Sequence, residues 1–262
     1  MDIKIKDLCE KIEKAYDVKI LFCVESGSRV WGMSSEDSDY DVRFVFKRDI
    51  KEYINLLNKD EVIKETYDNM FRKCKPKGCY IDLVGFDIFK FLKLFIKSNP
   101  TTIEWILSNK LYYGEIPKVF INFIIKNLNR IAMYHHYKSM CKQNYIKYLK
   151  SGALVTYKKY LYAMRGLVYA EWVACEDTLP PINFKEAIEK SYFLDTNIKN
   201  KLLKIIELKK SGKEKDIVEN DIKIDRYIET FLQKDYSQYL GKRQLPDITD
   251  LNEELWKQLG LK

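Results

Sequence analysis

The first 87 residues hold three short apolar runs rich in β-forming side chains: VKILFCV (18–24), DYDVRFVF (39–46) and CYIDLVGFD (79–87). Runs of this length, bounded by loop-forming residues, predict buried strands. Helical periods lie around them. Ile5, Leu8, Cys9, Ile12 and Ala15 fall on one helix face, and 48–57 and 87–99 also read as helices, the last stopped by Pro100. Between 58 and 78 no period is clear, and the stretch is compatible with strand or loop.

From Thr101 the pattern changes. Helical periods follow one another over 101–108, 117–130, 131–150, 153–175, 184–191, 195–211 and 221–234, with short breaks such as LYYGEIP and CEDTLPPIN. No internal repeat or low-complexity linker intervenes. The expected organisation is an α/β domain over residues 1–97 and an all-helical domain over 98–262, an α+β protein.

Two of the apolar runs contain acids. Side chains alternate faces along a strand, so Asp39 and Asp41 are expected on one face, with Tyr40 and Val42 on the other. Two like charges so close need a cation between them. A divalent metal is one answer, and a pairing of Asp41 with Arg43 is another. Asp82 sits alone in an apolar strand and needs a partner too, either a basic side chain or a shared metal. If the two strands are neighbours, three carboxylates converge. Upstream, Gly27 and Ser28 follow a strand and open a short helix, where unpaired backbone amides attract phosphate. A Gly-Ser pair on its own is more often a simple helix cap.

Bulk properties set limits. With 262 residues, 46% apolar and 32% charged, the chain is globular and long enough for a substantial core. Its net charge of +8 favours an anionic partner weakly. The six cysteines read as free thiols in a reducing compartment, with neither disulfides nor zinc expected, although Cys74 and Cys79 are near neighbours. There is no signal-peptide core, and no run approaches the ~18 apolar residues of a membrane span. A cytoplasmic protein without a membrane partner is expected.

The spacing across the first two strands is specific. Gly27-Ser28, ten intervening residues, Asp39-Tyr40-Asp41-Val42 and a later strand acid resemble the signature of the DNA polymerase β-like nucleotidyltransferases. More closely, ESGSRVWGMSSEDSDYDVRFVF (25–46) and YIDLVGFDIFKFLKLFIKSNPTTIEWILS (80–108) resemble the RNA-ligase-associated, or RNA repair pathway, nucleotidyltransferase family. Weaker matches are HHYKSMCKQNY (135–145), KKYLYAMRGLVYAEWV (158–173) and LPPINF (179–184). Phe86 stands where this family would have Trp.

The resemblance implies a minimal nucleotidyltransferase core with a mixed sheet, followed by a helical domain. It implies transfer of NMP from an NTP to an acceptor hydroxyl, on an RNA end, with two Mg²⁺ or Mn²⁺ ions held by Asp39, Asp41 and Asp82. Asp82 would also serve as the base, and Gly27 and Ser28 would hold the β- and γ-phosphates. Arg29, Lys158 and Lys159 are candidates to neutralise pyrophosphate, against a solvated face for the lysines. A protein or small-molecule hydroxyl as acceptor, as in toxin–antitoxin systems, is the alternative, and a non-catalytic nucleotide-binding module is a third. Glu25 is expected to orient the turn or pair with an arginine. Trp31, Trp105 and Trp172 are expected in packing rather than as base-stacking platforms.

Overall fold

The computed structural model describes residues 1–57, 59–75, 79–150, 155–213, 216, 221–241 and 245–261. The elements run α1 (Asp2–Tyr16), β1 (Lys19–Ser26), α2 (Gly27–Val30), β2 (Tyr40–Lys47), α3 (Ile50–Tyr53), β3 (Val62–Tyr67), β4 (Ile81–Asp87), α4 (Ile88–Phe95), α5 (Pro100–Ile106), β5 (Leu111–Gly114), α6 (Lys118–Asn127), α7 (Arg130–Asn144), α8 (Tyr157–Cys175), α9 (Phe184–Lys190), α10 (Thr196–Leu208), α11 (Ile222–Gln233) and α12 (Thr249–Leu259). The five strands form one mixed sheet in the order β3-β4-β2-β1-β5. β2 and β4 run parallel, and every other neighbouring pair is antiparallel. The α+β class with a mixed sheet is what the three apolar runs and the family resemblance indicated.

Two compact units emerge. The first comprises Met1–Val30, Asp39–Leu128 and Gln244–Lys262, and the second Trp31–Ser38 and Asn129–Arg243. The sheet unit therefore continues to Leu128 rather than stopping at residue 97, and it takes back the last segment of the chain. Aromatic packing explains the extension. Phe120 of α6 lies 5.7 Å from Phe91 and 5.5 Å from Phe95 of α4, ring centre to ring centre. On this side Phe86 of β4 packs on Trp105 of α5 at 4.6 Å, so Phe fills the place where Trp was expected.

On the opposite side of the sheet, Ile5, Leu8, Cys9 and Ile12 of α1 meet Cys23, Val42, Phe44, Phe46 and Leu83. A helix of 3.6-residue period covering period-2 strands gives a layered core. At the far ends of β2 and β4, Arg48 and Asp87 form a buried ion pair at 3.1 Å. Asp87 also accepts from Tyr53 Oη at 2.9 Å and caps α4 through the Phe89 amide at 2.9 Å.

The second unit is built on α7 and α8, where Tyr137 meets Tyr169 edge-on at 5.2 Å. The Arg165 guanidinium stacks 3.8 Å over Trp31 and 4.8 Å over Tyr169. Arg165 and Trp31 thus serve packing, and so do Trp105 and Trp172, both buried. The helix predicted over 48–57 shrinks to one turn, α3, because Ile54, Leu56 and Leu57 are exposed and have no apolar surface to meet. No helix among the described residues is long and apolar enough to cross a membrane.

Candidate active site

β1 ends at Ser26, and the chain turns at Gly27 with φ +66°, a conformation that favours glycine. The turn runs against β2. A Cβ on Gly27 would lie 2.6 Å from Asp41 Cγ and 2.9 Å from Asp41 Cβ, so only glycine brings the backbone this close.

Asp41 and Asp82 are direct register partners in the parallel β2–β4 ladder. Neighbouring strands lie about 4.8 Å apart, so both carboxylates rise from adjacent pleats on one face. Each side chain is about one-third exposed, 33% for Asp41 and 35% for Asp82. The Arg43 guanidinium lies between them: Nη2 donates to Asp41 Oδ1 at 3.0 Å and to Asp82 Oδ2 at 3.0 Å. Nη1 donates to the Val42 carbonyl at 3.0 Å and the Asp82 carbonyl at 2.8 Å. The two expected partners of Asp41 and Asp82, a basic side chain and each other's neighbourhood, are both present.

Asp39 sits differently. β2 begins at Tyr40, so Asp39 belongs to the preceding loop and is exposed. It remains near Asp82, because the Cys79 thiol feels both: burial raises the thiol's pKa, and the Asp39 and Asp82 charges raise it further. Arg29 Nε donates to the Asp39 carbonyl at 3.3 Å, and its guanidinium covers the Tyr40 ring at 3.7 Å. Ser28 is half-buried in α2. Lys158 and Lys159 belong to the second unit, on the first turn of α8, with Lys159 Nζ 5.3 Å over the Tyr148 ring.

Glu25 and Tyr112 complete the support of this site. Glu25 is buried on β1, and its Oε1 accepts the Asp41 backbone amide at 2.9 Å. Its Oε2 accepts from Tyr112 Oη on β5. Burial raises the Glu25 carboxyl's pKa, the Tyr112 and Asp41 hydrogen bonds oppose this, and the Asp41 charge adds to it. The orienting role open to Glu25 is realised on the backbone of Asp41. Tyr112 lay in a stretch that read as a break, since four residues ending in glycine carry no strand period of their own.

Among the described residues no group of three or more His, Cys, Asp or Glu side chains is arranged to hold a metal ion. The local reason is visible: Asp39 lies in the loop, and Arg43 fills the space between the other two acids. The donor set of Asp39, Asp41 and Asp82 is nevertheless all oxygen, which suits Mg²⁺ or Mn²⁺, and Asp41 and Asp82 already share one cation.

Comparison with known proteins gives the class first: this chain is a nucleotidyltransferase, an enzyme of the EC 2.7.7 type. It belongs to the RNA repair pathway DNA polymerase beta family (RlaP), whose model matches residues 1–257. The chain is similar to the uncharacterized protein YcgL of Bacillus subtilis (strain 168), with 30% identity over 271 residues, covering 99% of this chain and 100% of the relative. A protein of Methanocaldococcus jannaschii is 34% identical over 128 residues, 47% of each chain. Among solved structures, spectinomycin adenyltransferase AAD(9) from Enterococcus faecialis, determined with ATP and spectinomycin, aligns over 89% of this chain and 98% of its own at 14% identity, with a TM-score of 0.47.

Proposed function

We propose that this enzyme transfers NMP from an NTP to the hydroxyl of an RNA end and releases pyrophosphate. The observation that carries the reading is the register match of Asp41 and Asp82, with the Gly27 turn packed against Asp41. The acceptor oxygen attacks the α-phosphorus, the bond to the β-phosphate breaks, and the acceptor proton passes to Asp82.

Gly27 and Ser28 offer backbone amides and a hydroxyl to the β- and γ-phosphates. Arg29 neutralises the leaving pyrophosphate, a role the family resemblance also offers to Lys158 and Lys159. Glu25 holds Asp41 by its amide so that the carboxylate is positioned before substrate arrives. Asp39, Asp41 and Asp82 would hold two Mg²⁺ or Mn²⁺ ions, which would lower the pKa of a bound hydroxyl and offset phosphate charge. The cytoplasm is the compartment in which its cysteines, all free thiols, stay reduced.

The test offers each labelled NTP with Mg²⁺ or Mn²⁺ to tRNA, nicked RNA, DNA ends, protein and an aminocyclitol. Label is expected on RNA alone, and Asp39→Asn or Asp41→Asn should abolish it while the thermal melt is kept. Label on protein or on the small molecule overturns the RNA acceptor. Wild-type transfer in either variant overturns the site.

A further inference from the structure

The second unit contains a cavity of about 490 Å³ lined from three elements. α8 supplies Glu171, the start of α10 supplies Asp195, Asn197 and Ile198, and α11 with its C-cap supplies Lys223, Arg226, Tyr227 and Lys234. The volume falls within the range of small-molecule sites, roughly 300–1,000 Å³.

Glu171 is the unusual member. It is 9% exposed, and Tyr227 Oη donates to its Oε2 at 3.3 Å. Glu171 also lines the cavity, so a ligand there can meet its carboxyl and share the cost of its burial. Burial raises its pKa to about 7, against the Tyr227 hydrogen bond and the Lys234 charge, which lower it. Nothing in the nucleotidyl-transfer chemistry uses this residue.

The rim has the opposite character. Lys223 and Arg226 stand three residues apart on α11, and Lys234 follows at its end. Among the described residues neither Lys223 nor Arg226 makes an ion pair. The Asp195 carboxylate in the lining is engaged in capping α10, its Oδ1 accepting from the Asn197 and Ile198 amides, so the three cations dominate the rim and disfavour an amine ligand. The Glu171 carboxyl, on the cavity wall, accepts from Tyr227 and can accept from a further donor, which a bare phosphate does not carry. A ligand that satisfies both needs an anionic group for the cations and a hydroxyl for the carboxyl.

We propose that this cavity binds a sugar phosphate, with the phosphate on Lys223, Arg226 and Lys234 and a sugar hydroxyl donating to Glu171. A ribose phosphate could arrive as a free nucleotide or as the end of an RNA strand, and both present the same chemistry. The cavity belongs to the second unit, uses neither Asp41 nor Asp82, and does not depend on the transfer reaction.

Calorimetry on the full chain with ribose 5-phosphate tests the assignment. Saturable binding is expected, with ribose alone and inorganic phosphate alone each weaker by at least about tenfold. Glu171→Gln and Arg226→Ala should each weaken ribose 5-phosphate by a similar factor, while Asp41→Asn leaves it unchanged. Melting curves of both cavity variants report whether they fold, and Lys223→Ala, a surface change, provides a second probe of the rim. Competition by AMP assigns the site to free nucleotide, and competition by 5′-phosphorylated RNA without competition by AMP assigns it to a strand end; either upholds the site. No binding, binding unaltered in Glu171→Gln and both rim variants, or binding lost in Asp41→Asn overturns it.

Discussion

Gly27→Ala separates two reasons for a glycine at the turn between β1 and α2. Gly27 and Gly260 both have positive φ, +66° and +72°, and both lie in the sheet unit. A Cβ on Gly260 meets nothing within 4 Å, whereas one on Gly27 collides with Asp41. Left-handed backbone costs an L-residue about 1–2 kcal/mol. The stiffer unfolded chain returns roughly 0.4–1 kcal/mol of that. Gly260→Ala should therefore lose about 1 kcal/mol. Gly27→Ala carries the same strain and must also push the Asp41 side chain off its rotamer, about 1 kcal/mol more. Displacing it breaks the partly exposed contact to Arg43, a further ~0.5 kcal/mol. The expected total is about 2–3 kcal/mol, or a melting temperature lower by roughly 4–10 °C. The displaced carboxylate should also reduce NMP transfer by about a hundredfold, the usual consequence of an ångström-scale misplacement. Urea melts of both variants and a labelled-NTP assay check this. Equal destabilisation, with transfer intact in Gly27→Ala, would refute the claim that the turn is built against Asp41.

Three other outcomes follow from named contacts. Glu25→Ala strands the Asp41 amide and the Tyr112 hydroxyl and should cost about 2–4 kcal/mol in a denaturant melt, whereas Glu25→Gln keeps an acceptor and should cost less than about 1 kcal/mol. Asp87→Ala leaves Arg48 as a buried, uncompensated charge and should cost about 3–5 kcal/mol, part of which Arg48→Met in the same background recovers in a double-mutant cycle. Glu171 gives a pH dependence. Its folded pKa stands near 7 against its usual 4.5, so the folded state holds the proton over that interval and the unfolded state does not. Stability from this group is therefore greatest below about pH 4.5, falls as pH rises toward 7, and is flat above, a change of at most about 3.5 kcal/mol at roughly 1.4 kcal/mol per pH unit. The wild-type minus Glu171→Gln difference in melting midpoint from pH 5 to 8 isolates that slope, and a difference that rises with pH would contradict it.

Much of the sheet unit was legible because its strands announce themselves. β1, β2 and β4 are apolar runs that end within two residues of their predicted limits, and the helices from α5 to α11 follow their apolar periods closely. Asp82 was legible as a partner-seeking residue for the same reason, an acid where every neighbour is apolar. What the local pattern could not carry is whatever depends on a partner distant in sequence. β5 is four residues long and exists because it pairs with Phe22, Cys23 and Val24 of β1. β3 has a buried pattern, but it needs β4 beside it to be a strand. α12 buries only Leu251, so its apolar face is too thin to signal a helix.

The site divides along the same line. Alternation put Asp41 and Arg43 on one face, and both lie inside the ladder; Asp39 stands one residue before it. The sequence could not reveal that a single guanidinium would serve both acids. That requires β2 beside β4 and a parallel register that sets Asp41 opposite Asp82. A shift of that register by even one residue would set Asp41 and Arg43 opposite other residues of β4. It is the register of β2 on β4 that brings the strand acid and the isolated acid together. β4 lies next to β2 but β1 lies on the other side, so Glu25 reaches the Asp41 amide from one flank while Asp82 stands on the other. Asp41 is thus fixed by its backbone on the β1 side and left with its carboxylate open to a cation on the β4 side. That asymmetry suits a residue whose charge must be available while its position must not change.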